Sequence, residues 1–182
     1  MTTIVQKNSP LLRQIAKEVS IEDVGSEKMR KLLTEMMITL DKCEDGVALA
    51  APQIAVSLRL FIVSPKAFAM QNGPDESGKK NKKETDKLVY INPVITKSSV
   101  KKEILDEGCL SVKGVFGKIK RHAKVTITAY DELGIKFTRG ASGLLAEIFQ
   151  HETDHLNGIL FIDTAKDLVQ VGEQKIVDAN AK

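Results

Sequence analysis

Tryptophan is absent from this 182-residue chain, and aromatic residues make up only 4% of it. Any core must therefore be mostly aliphatic, and the 42% hydrophobic content is enough to build one. Cysteine is scarce too. Cys43 and Cys109 could form at most one disulfide, which a domain of this size does not need. A reducing cytoplasm is the expected compartment, and it leaves a thiol free for chemistry. No apolar run approaches the ~18 residues of a membrane span. Residues 1–10 carry neither an apolar h-region nor an Arg-rich amphipathic stretch, so no secretion or organelle-import signal is expected. The net charge is only +3, and no Lys/Arg stripe is interleaved with aromatics. Neither a membrane nor nucleic acid is expected as a direct partner. Length and composition instead fit one packed domain over residues 1–182.

Ser9-Pro10 reads as an N-cap with proline at the first helical position, opening a short helix with Leu11, Leu12 and Ile15 on one side. A stronger helix is expected over residues 27–42, where Met29, Leu32, Leu33, Met36, Met37 and Leu40 form an apolar stripe behind Ser26. A Gly/Ala-rich turn follows at residues 46–53. Strands are expected over residues 58–63, 88–95 and 100–105. A hairpin turning at Asp131-Glu132-Leu133-Gly134 joins residues 122–130 to 135–138. Residues 71–87 hold no apolar side chain and read as a polar surface loop. A last strong helix spans residues 142–157, stopping at Asn157-Gly158. The tail, residues 164–182, is expected to form a short final helix. Strands followed by a helix that packs on them predict an α+β fold with antiparallel sheet.

The chemistry is concentrated in Gln150-His151-Glu152-Thr153-Asp154-His155. Histidines at i and i+4 lie one turn apart on one helix face, so both imidazoles can reach one metal ion. Glu152 is rotated about 100° away and can reach a water without being a ligand. This H-E-x-x-H spacing serves metal hydrolases. Ile148 and Leu144 continue the same face backwards. No His or Glu follows at the distance where zincin proteases place a third ligand. Upstream, however, stands Glu107-Gly108-Cys109-Leu110-Ser111, whose thiolate suits Zn or Fe(II). The third histidine, His122, has no neighbouring ligand and reads as structural or exposed. Cys43 matches no motif and reads as a half-buried thiol.

EGCLS at residues 107–111, QHETDHL at 150–156 and GVALAAPQ at 46–53 resemble the three signature motifs of peptide deformylases, in the family's order. The resemblance runs from about the first helix to Asp163. It implies a metal held by Cys109, His151 and His155, with Glu152 as general base and then acid. Gln53 and the backbone N–H of Leu110 would hold the oxyanion. Gly46, Val47, Ala48, Gly108, Leu144 and Ile148 would line the substrate pocket, and Arg121 would pair with Glu107 in support. The implied substrate is N-formylmethionine on nascent peptides, met transiently at the ribosome, with formate released. The implied metal is Fe(II), with Zn or Ni as replacements. The implied fold is antiparallel sheet around a central helix bearing the HExxH.

The chain departs from the family pattern at four positions. Ala48 stands where glycine is usual, adding a methyl beside the substrate path. The proline and the arginine common shortly after Ser111 are both missing; Val112-Lys113-Gly114-Val115-Phe116-Gly117 occupies that stretch. Glu147 stands where the family often has an apolar residue. It is expected to turn outward to water, although four residues before His151 it is within reach of the pocket mouth.

Overall fold

A computed structural model describes residues 2–72 and 88–171. Three helices, α1 (Glu27–Asp41), α2 (Pro65–Asn72) and α3 (Gly143–Leu156), accompany eight strands. The strands are β1 (Ala48–Ala50), β2 (Leu60–Val63), β3 (Val89–Ser98), β4 (Lys102–Gly108), β5 (Val115–His122), β6 (Lys124–Tyr130), β7 (Lys136–Ser142) and β8 (Lys166–Gln170). They form a five-stranded sheet ordered β1-β2-β3-β6-β7 and a three-stranded sheet ordered β4-β5-β8. Every pairing between them is antiparallel. Helix α3 packs against strands of both sheets, so the α+β architecture expected from the sequence is the one observed.

Local chemistry explains the elements. Ser26 Oγ accepts the Met29 N–H and starts α1, whose Met29, Leu33, Met36 and Leu40 are buried at i, i+4, i+7 and i+11. At the β6–β7 hairpin, Asp131 Oδ1 accepts the N–H groups of Leu133 and Ile135, and Gly134 takes the positive φ that the turn requires. Beyond α3, Gly158 has φ +75°, and a Cβ there would lie 2.7 Å from the Arg13 carbonyl oxygen. Only glycine closes the helix so near that backbone.

The scarce aromatics are gathered under α3. Phe61 and Tyr90 stack at 4.7 Å, and Phe149 of α3 lies 4.9 Å from the Tyr90 ring. Ile148, Leu145 and Ile127 complete this cluster. Burying such side chains stabilises by about 1.5–3 kcal/mol each, which fixes α3 rigidly on the larger sheet.

Four expectations need correction. The described part of the tail is strand β8, not a helix. Its residues are all exposed and gain their stability from pairing with the edge of β5, a non-local partner that weak periodicity does not reveal. The rest of that expected helix, residues 172–182, lies outside the described residues. Gln71 belongs to helix α2, where its Oε1 accepts the Leu145 N–H, whereas residues 73–87 of the expected loop lie outside the described residues. Strand β5 was not expected as such. Its inward positions are Gly117, Ile119 and Arg121, a set that does not read as apolar alternation. His122 consequently ends β5 instead of opening the next strand. The first turn is a 3-10 segment, Pro10–Arg13, and Ile15 lies 75% exposed outside it.

Candidate metal centre

Strand β4 ends at Gly108 and delivers Cys109 into a turn facing α3. The helix supplies His151 and His155 from one face, with ring centroids 4.9 Å apart. Ligand-type atoms of Cys109, His151 and His155 all lie within 4.8 Å of one another, and Cys109 Sγ is 3.2 Å from His155 Nε2. One thiol and two imidazoles in this arrangement match the donor chemistry of Zn or Fe(II), and they are the one such group among the described residues.

The residues behind the donors orient them. Glu107, 3% exposed, accepts from His151 Nδ1 at 2.5 Å. A carboxylate only accepts, so Nδ1 carries the proton and Nε2 keeps its lone pair for a metal. Arg121 grips the same carboxylate in a fork, with Nε to Oε2 at 2.9 Å and Nη2 to Oε1 at 2.8 Å. Its remaining nitrogen, Nη1, donates to Asp154 Oδ2 at 2.5 Å. Thus the Glu107–Arg121 pairing implied by the resemblance is present, and Asp154 extends it. Sequence reasoning missed Asp154, although its place three residues after His151 puts it on a neighbouring face.

Burial alone would raise the Glu107 pKa, but hydrogen bonds from His151 and Arg121 outweigh it and hold the group at about 2. Burial drives His155 well below the usual histidine range, keeping it neutral as a ligand must be. His151 goes the other way. Burial opposes its charge, yet the hydrogen bonds to Cys109 and Glu107 raise it well above the ordinary value.

Glu152 is 4% exposed, and its Oε2 has no partner among the described residues. Burial raises its pKa to about 7, with His151 opposing and Glu107 adding. A carboxyl poised near neutrality in a cleft is suited to moving protons. Gln53 is held at both ends. Its Oε1 accepts the Ala50 N–H at 2.8 Å, and its Nε2 donates to Ser111 Oγ at 3.2 Å, 3.6 Å from Cys109 Sγ.

These groups open onto a cleft of about 850 Å3. Gly46, Val47, Ala48, Gly108, Leu144 and Ile148 all line it, together with Gln53, Leu110 and Glu152. Gly46 is fixed by space: a Cβ there would fall 2.8 Å from atoms of both Cys43 and Leu40. Glu147 also lines the cleft, half-buried, so the expectation that it turns outward is corrected. Phe116, paired across the ladder with Gly108, forms a further wall, as do Thr2, Ile4 and Gln6. Val5 N–H donates to the Gln53 carbonyl, and Gln6 Nε2 to that of Leu110. Those N-terminal residues carried no periodic signal that could have revealed them. His122 is structural, with Nδ1 against the Ser99 carbonyl and its N–H donating to Gln150 Oε1. Cys43 is half-buried, donating to the Thr39 carbonyl at 3.4 Å, and both cysteines are free thiols.

An antiparallel α+β shell around an HExxH helix, with a cysteine beside its two histidines, defines an α+β protein of the HExxH kind whose Cys109, His151 and His155 could hold a metal ion. Comparison with known proteins narrows this: residues 1–171 match the polypeptide deformylase family, and the chain belongs to it. It is 38% identical to peptide deformylase 1A, chloroplastic/mitochondrial, of Arabidopsis thaliana, over 88% of this chain and 60% of that one. The chain thus spans about three fifths of the plant relative's length. With peptide deformylase 2 of Clostridium acetobutylicum it shares 36% identity over 88% of this chain and 92% of that one. Among solved structures, the Met-Ala-Ser-bound class I type b peptide deformylase of Acinetobacter baumannii superimposes with a TM-score of 0.76. That pair is 30% identical, covering 90% of this chain and 97% of the other.

Proposed function

We propose that this protein is a peptide deformylase, hydrolysing the N-formyl group from formylmethionine at the start of newly made polypeptides and releasing formate. The observation that carries this reading is the Cys109, His151 and His155 group, with the unpartnered Glu152 carboxylate in the same cleft. The Acinetobacter relative, seen with a Met-Ala-Ser peptide, supports the substrate class.

A formamide is a weak electrophile, so its hydrolysis needs a strong nucleophile and stabilisation of the tetrahedral oxyanion. Cys109, His151 and His155 would hold a divalent cation, which supplies Lewis acidity and makes water nucleophilic near neutral pH. Glu152 takes the proton as the water attacks. The same carboxyl then returns that proton to the leaving amine, which departs as a free N-terminus. Gln53 Nε2 and the Leu110 N–H donate to the developing oxyanion. Glu107 and Arg121 keep His151 in the tautomer a ligand needs. Gly46, Val47, Ala48, Gly108, Leu144 and Ile148 give the unbranched methionine side chain an apolar slot.

The finer reading is Fe(II) as the native metal, replaceable by Zn or Ni, in one catalytic domain. It acts on nascent chains at the ribosome in the cytoplasm. No helix among the described residues is long and apolar enough to cross a membrane. The test is formate release from formyl-Met-Ala-Ser by metal-loaded protein, with metal analysis of the same sample. Cleavage of internal bonds in unformylated peptides, without formate release, would replace this reading with that of an endopeptidase.

A further inference from the structure

Glu147 is a chemical anomaly in the cleft. It lies on the same side of α3 as its apolar neighbours Leu144 and Ile148, one turn before His151. Among the described residues no hydrogen bond or ion pair holds its carboxylate. Burial, then the nearby Glu107, raises its pKa to about 7, against a smaller opposing pull from His151 and Arg121. A half-buried charge beside aliphatic walls is poorly solvated, so its interactions are stronger than those of a rim charge. One helical turn is about 5–6 Å, so the substrate side chains next to the reacting group fall within reach of Glu147.

We propose that Glu147 is a specificity-determining residue that selects peptides with Lys or Arg directly after formylmethionine and disfavours Asp or Glu there. With the methionine side chain seated against Leu144 and Ile148, a lysine or arginine in the next position can extend its flexible stem to bring its charged end to the Glu147 carboxylate. An acidic side chain in the same place meets a like charge in poorly solvated surroundings. Elsewhere in the cleft, exposed Glu44 and Asp45 are offset by Lys42 and Lys113, buried Glu107 is paired with Arg121, and the other acid, Glu152, is assigned to the reacting proton. This inference rests on the deformylase reading for its substrate but not for its measurement.

The experiment compares formyl-Met-Lys-Ser with formyl-Met-Asp-Ser on metal-loaded wild type, Glu147→Gln and Glu44→Gln. It also measures binding of the unformylated Met-Lys-Ser and Met-Asp-Ser peptides. In wild type the lysine peptide is favoured roughly tenfold in kcat/KM, the sum of one modest attraction and one modest repulsion. In Glu147→Gln that ratio falls to near 1, while in Glu44→Gln most of it remains. A ratio unchanged by Glu147→Gln, or abolished equally by Glu44→Gln, overturns the inference. Absence of formate release from every peptide, with lysine-selective binding lost in Glu147→Gln, supports Glu147 and overturns the deformylase reading alone.

Discussion

Glu107 and His151 meet at 2.5 Å between a strand and a helix that are more than forty residues apart in sequence. The contact sets which imidazole nitrogen carries the proton, and so which one can bind a metal. Arg121 holds the carboxylate from the other side, leaving Glu107 no freedom to turn away. A strand-to-helix register is thereby converted into a ligand tautomer.

Replacing Glu107 with Gln removes the negative charge while keeping the shape. Metal affinity is expected to fall roughly 10- to 100-fold, the usual effect of losing such a hydrogen-bonding partner of a ligand. Stability falls as well, because buried Arg121 loses its main counter-charge; breaking such a pair typically costs about 3–5 kcal/mol. Chelator competition and thermal unfolding measure the two effects separately. Unchanged metal affinity would remove Glu107 from any role in positioning His151.

Glu152→Gln keeps the size and polarity of the side chain but cannot accept a proton. Metal content is expected to match wild type while kcat drops by roughly 10²–10⁴, the range for a general acid–base group. A kcat within a few-fold of wild type would show that the proton goes elsewhere.

Much of this site was legible in the chain because it sits on strong local signals. The spacing of His151 and His155 fixes their common face whatever surrounds the helix, and Ser142 and Asn157 flank that helix as expected. Other parts depend on long-range pairing that leaves no periodic trace. Arg121 points inward from β5 beside Gly117 and Ile119, so the strand carries a buried charge where a pattern search looks for an apolar residue. Strand β8 is wholly exposed and exists only because β5 has an edge to pair with. Thr2, Ile4 and Gln6 join the cleft through backbone contacts of their segment with Gln53 and Leu110, which no side-chain pattern encodes. Glu147 looked like a surface charge because its residue type outweighed its helical position.

Asp163 and Arg13 clamp the turn after α3 to the N-terminal 3-10 turn through two nitrogen–oxygen contacts, 2.5 and 3.0 Å long. The hydrogen bond from Arg13 lowers the Asp163 pKa below its usual value, aided by the Leu160 N–H. A depressed carboxyl pKa stabilises the fold above the unfolded value and loses that effect as pH falls through the folded one. Asp163→Asn is therefore expected to cost at most about 1 kcal/mol at neutral pH, as befits a partly exposed pair. The difference from wild type should shrink as pH falls below the ordinary aspartate range and vanish once pH has passed through the lowered folded pKa. Denaturant melts of both proteins across that range check it; a gap that persists in acid would assign the effect to packing.

Gln53 joins two functions that a single truncation would confuse. Its Nε2 sits beside the Cys109 thiol, where it can donate to an oxyanion, while its Oε1 holds the Ala50 N–H at the end of β1. Truncation to Ala should lower kcat by roughly 10²–10³, as for loss of one oxyanion donor. It should also destabilise the fold by about 1–3 kcal/mol, because the buried Ala50 N–H loses its acceptor. Glu at this position separates the two. Its carboxylate still accepts from Ala50, so β1 keeps its anchor, but it offers no donor and places negative charge where the oxyanion develops. Gln53→Glu is thus expected to match or exceed the alanine variant in lost kcat while losing less stability to the Ala50 contact. Steady-state kinetics on formyl-Met-Ala-Ser and thermal melts of both variants decide the matter. Were Gln53→Glu to retain kcat, the amide would not be an oxyanion donor, and its place beside Cys109 would be architectural.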